Sequence, residues 1–214
     1  MRSVCDMIRR QAEPNFINLE TAIRTYDRNS LVCGAPAWRY VYHTIHSADK
    51  WFFNPSVFTE PQFHEQGMDN PDTPCETVLS DDLLLDYLHA VREKTLAYLD
   101  SLTDDELNDC PENCEYTRLE LILMQFRHIS VHTGMLNGQT IERMGRFPVY
   151  VGPTDSSARL SNLRSKAAAS PLRRRPHICN KAKKPTGVVV ISHYPAAFVI
   201  PASSPTLANA AVRT

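Results

Sequence analysis

The chain lacks any apolar run long enough to cross a bilayer, which argues against a helical membrane protein. Its N-terminus, MRSVCDMIRRQAEP, has no hydrophobic segment of the kind a secretory signal carries. A disulfide framework is missing too. Cys5, Cys33, Cys75, Cys110, Cys114 and Cys179 are scattered, and the Cys110–Cys114 pair has neither knuckle spacing nor a second pair downstream. These absences predict a cytoplasmic protein with free thiols. Neither a persistent strand alternation nor an internal repeat is visible. What is present is ordinary for a chain with a core: 43% hydrophobic residues in 214.

Net charge is near zero, at −1, but its distribution is not even. Ten Lys/Arg and a single acidic residue, Asp155, follow Val151, giving +9. The other 13 basic and 23 acidic residues give −10. The break predicts two regions: a folded domain over 1–152, and a basic, low-complexity tail over 153–214 that is mostly disordered. Val188–Ile191 and Ala197–Ile200 are short apolar runs with nothing evident to pack on.

Four amphipathic helices are expected in the first region. One runs from about Ser3 to Thr25, with Pro14 kinking or splitting it. A second runs from about Pro36 to Phe53, stopped by Pro55. A third starts at the N-cap Ser80, with Asp81 and Asp82 suiting the helix dipole. A fourth runs from about Thr117 to Arg143. The Pro-, Asn- and Asp-rich stretch 54–78 reads as a long crossover. The fold class is therefore all-α: an antiparallel four-helix bundle with one long crossover loop.

The residues that carry chemistry lie on the second and fourth helices. In LELILMQFRHISVHTGML, His128 and His132 stand four apart, so both rings occupy one helix face one turn apart. They border a core stripe of Leu119, Ile122, Phe126, Ile129 and Leu136, with Met124 and Met135 nearby. Two histidines do not close a metal site, and AWRYVYHTIHSADKWFF offers a third. His43 lies on the border of that helix's apolar side, beside Tyr40. His46 is rotated outward among Arg39, Tyr42, Asp49 and Lys50, and is the alternative to His43. Tyr40, Trp51, Met124, Gln125 and Met135 are expected to wall the site or support it. A histidine pair in an apolar helix is also what two buried, hydrogen-bonded rings look like, so metal binding and a histidine-containing core both stay open.

WRYVYHTIHSADKWFFNP, REKTLAYLDSL and RLELILMQFRHISVHTGMLNG together resemble the DinB/YfiT-like superfamily of metal-binding four-helix bundles. The resemblance covers about residues 3–150. It implies one ligand from the second helix and an H-x-x-x-H pair from the last, here His43, His128 and His132. It also implies a divalent metal, zinc first and nickel or iron as alternatives. Members with assigned chemistry often use a low-molecular-weight thiol such as bacillithiol or mycothiol. The expected function is thus a metal-dependent enzyme, a thiol transferase or hydrolase, acting on a small molecule. The alternatives are a bundle stapled by metal without catalysis, or a stress-related protein whose Arg173–Arg175 and Lys181–Lys184 clusters associate with nucleic acid. A homodimer is compatible with any of these, and no membrane partner is expected.

Overall fold

A computed structural model describes residues 2–145 and 147–152. The expected tail, with its two short apolar runs and basic clusters, lies outside the described residues. The described part is a four-helix bundle: α1 (Val4–Thr25), α2 (Ala37–Trp51), α3 (Asp81–Ser101) and α4 (Arg118–Met144). Short 3-10 turns at Pro55–Val57 and Asp105–Asn108 interrupt the connections.

Local chemistry sets the helix starts. Ser3 and Ser80 cap α1 and α3 by accepting from the backbone N–H of Asp6 and Leu83. Thr117 and Glu120 form a reciprocal capping box at α4, where Thr117 Oγ1 accepts from the Glu120 N–H and the Glu120 carboxylate accepts from the Thr117 N–H. Pro14 does not split α1, which is continuous across it. The carbonyl that loses its partner there belongs to Arg10, an exposed residue.

One small strand pair escaped the sequence pattern. Leu31–Val32 (β1) pairs antiparallel with Ala35–Pro36 (β2). Cys33 and Gly34 turn between them with φ of 48° and 95°. Two successive positive φ values are the signature of a type I′ hairpin, and Gly34 takes the second without a Cβ penalty.

Contacts between helices fix their directions. Arg9 bonds Asp100, and Tyr26 at the other end of α1 bonds Asp81, so α1 and α3 are antiparallel. Ser47 reaches Gln125 and His43 reaches His128, so α2 and α4 are antiparallel. Tyr42 meets Tyr87 and Phe53 meets Tyr98, so α2 and α3 run the same way. A short turn cannot join parallel neighbours. The crossover therefore has to return along the bundle, and residues 52–80 do so.

That return changes α2. The crossover lies over the helix face that the sequence alone leaves outward, so Arg39, Tyr42 and His46 are buried along with Val41, Ile45 and Ala48. Arg39 donates to the carbonyls of Gly67, Asn70 and Thr73, holding the middle of the crossover on the helix. Gly67 has φ of 83°, and a Cβ there would stand 2.7 Å from Thr73 Cγ2, so this turn needs glycine twice over.

Candidate metal centre

His43 comes from the middle of α2; His128 and His132 come from successive turns of α4. The antiparallel pairing of these two helices brings all three rings to one point. His128 Nε2 is 3.0 Å from His43 Nε2 and 3.0 Å from His132 Nε2. The ring pairs are edge-on, with interplanar angles of 70°, 85° and 81°. The group forms a tripod with a shared focus of nitrogen atoms. His43 Nδ1 is fixed by the Asp69 carbonyl at 2.6 Å, so that nitrogen carries the proton and Nε2 presents a lone pair.

Electrostatics keep the tripod neutral. Burial pulls the His128 imidazole down to about 3, helped by His132 and His43. Burial and His43 pull His132 down to about 4. Burial also lowers His43, although the Asp69 carbonyl opposes it. Neutral imidazole is the form that binds metal.

The hydrogen-bonded alternative fits these atoms poorly. With His43 Nε2 unprotonated, one proton on His128 Nε2 can serve His43 or His132, but not both well. If instead His132 Nε2–H donates to an unprotonated His128 Nε2, the His43 and His128 lone pairs face one another at 3.0 Å. Buried Nδ1 atoms of His128 and His132 have no hydrogen-bond partner among the described residues. Three lone pairs turned inward suit a cation. Imidazoles about 2.0–2.1 Å from a tetrahedral zinc stand about 3.3 Å from one another, close to what is seen.

The profile of the DinB superfamily matches residues 25–136, a stretch that contains α2, the crossover, α3 and both α4 histidines. The chain belongs to the DinB superfamily. No curated protein and no solved structure matches it. The DinB assignment agrees with a divalent-metal site, and the tripod is one cluster among the described residues that could hold such an ion.

The other expected site residues divide. Tyr40 packs its ring against His132, with centroids 5.8 Å apart. Gln125 is buried and accepts from Ser47 Oγ at 3.3 Å, on the same helix interface. Met124 and Met135 are half-buried on α4, and Met135 packs on the core. Trp51 is the last residue of α2, two turns beyond His43, and makes no ring contact among the described residues. His46 does not replace His43. It is buried rather than outward, and its Nε2 meets Glu60. His64 lies outside the tripod, and its Nδ1 is 2.7 Å from the Tyr42 hydroxyl. Sequence reasoning missed the Asp69 carbonyl and the Arg39 clamp beneath it. Arg39 lies one helical turn before His43, a spacing that could have flagged it.

Proposed function

We propose that His43, His128 and His132 hold one divalent cation, zinc by donor set, and that this DinB protein is a metal-dependent transferase or hydrolase acting on a small molecule. The observation that carries this reading is the donor count. A closed structural zinc takes four protein ligands, and among the described residues the tripod gathers three histidines with no fourth His, Cys, Asp or Glu. A cation on three neutral imidazoles makes a thiol or water nucleophilic at neutral pH. Within the chain, Asp69 holds the His43 tautomer, α4 holds its two histidines at fixed spacing, and the Tyr40 ring keeps His132 from turning. A low-molecular-weight thiol is the favoured co-substrate, by family resemblance.

The test starts with elemental analysis of protein purified without added metal, for wild type and His128→Ala. The expected result is one equivalent fewer in the variant than in the wild type. Thiol consumption with an electrophile, and ester hydrolysis, are then measured on metallated and chelated protein. A fully metallated wild type that is inactive in both assays would leave a metal-stapled bundle instead.

A further inference from the structure

The first half of the crossover builds another convergence of ligating groups, sharing no residue with the tripod. His46 Nε2 on α2 is 2.5 Å from Glu60 Oε2, and His64 Nδ1 is 3.7 Å from that same oxygen. The three ligand atoms all lie within 4.8 Å of one another. The two imidazoles stack, 5.1 Å between centroids and 19° between planes. Their side chains are only 4% and 12% exposed, whereas Glu60 is 45% exposed and opens the cluster to solvent. Phe58 closes one side, edge-on to His46.

His46 Nε2–H donates to Glu60. His64 Nδ1 meets the Tyr42 hydroxyl at 2.7 Å and stands 3.7 Å from Glu60 Oε2, beyond hydrogen-bond reach, so a cation that bridges the cluster takes that nitrogen's one lone pair in place of the hydroxyl. Glu60 has no Lys or Arg partner among the described residues; its ion-pair partners are these two histidines. Two imidazoles and a carboxylate around one point are donors that zinc and cobalt accept, with further positions left to water.

We propose that His46, Glu60 and His64 form a second divalent-cation site, which fastens the crossover to α2. The cation pins residues 60–64, while Arg39 already pins 67–73. Together they hold the strap that presents the Asp69 carbonyl to His43. The inference stands apart from the tripod reading, because each site can bind without the other.

Full-length protein is stripped with a chelator and titrated with Co²⁺, then with Zn²⁺, reading visible absorption and bound metal after gel filtration. Wild type should hold two equivalents. Glu60→Ala and His64→Ala should each hold one, as should His128→Ala, and His64→Ala/His128→Ala none. Zinc added to His128→Ala should slow amide exchange over residues 58–66. Glu60→Ala, at an exposed position, keeps the test alive if His64→Ala misfolds. One equivalent that survives His128→Ala and vanishes with Glu60→Ala supports this site and removes the tripod. The proposal is overturned if His128→Ala holds no metal, or if Glu60→Ala binds as much as wild type.

Discussion

At the residue scale, the tripod makes the metal-free protein sensitive to acid. His128 and His132 titrate at about 3 and 4 when folded, below the ordinary imidazole value of 6.5. The unfolded chain takes up protons as pH falls through 6.5 and the folded chain does not. Stability is therefore complete above that pH and declines toward 4 and below. Urea midpoints of chelated protein should be lower at pH 5 than at pH 7.5, and His128→Gln should shrink the difference. An equal or higher midpoint at pH 5 would contradict the burial of neutral rings. Arg39 makes a second prediction. Arg39→Met removes the donors for three crossover carbonyls and frees the turn that carries Asp69. Metal affinity at the tripod should fall about 10–100-fold in a chelator competition, with helical circular dichroism retained. His128 and His132 were legible because their relation is local, four residues on one helix. His46 was misread because its environment comes from Glu60 and His64, supplied by a segment with no periodicity to reveal where it folds back.

Among the elements, the helices follow their own sequence signals closely. The start at Ser80 falls where its cap chemistry predicts it, and α4 begins after Thr117, about where its apolar pattern does. Removing the α4 box with Thr117→Ala should cost about 1 kcal/mol in urea unfolding. Ile122→Ala, at a fully buried position of the same helix, should cost about 2–5 kcal/mol. Comparable costs for both would mean that α4 is held by its cap more than by its packing. Two features were not legible. The β1–β2 ladder is too short for alternation to register, and only the Cys33–Gly34 turn betrays it. The continuity of α1 through Pro14 depends on which side of the helix meets water, a property of the bundle rather than of the segment.

For the whole molecule, every tripod ligand and every helix–helix contact described here lies before residue 145. The segment 147–152 returns to α1, where the Asn18 side-chain amide pairs with both the N–H and the carbonyl of Val151. No helix among the described residues is long and apolar enough to cross a membrane. A chain ending at Gly152 should therefore keep its fold and its His128-dependent metal equivalent, as measured by thermal unfolding and metal content. Loss of both on truncation would show that the bundle needs the basic segment.

The tripod takes two imidazoles from α4 and one from α2, and these helices run in opposite directions. One helical turn is about 5.4 Å of axial travel, so sliding α4 along α2 by a fraction of that distance pulls the nitrogens apart. Metal retention thus works as a gauge of helix register. Anything that strains the bundle lengthwise, whether a bound molecule, a neighbouring subunit or a distant substitution, should announce itself as released ion before the helices themselves unwind.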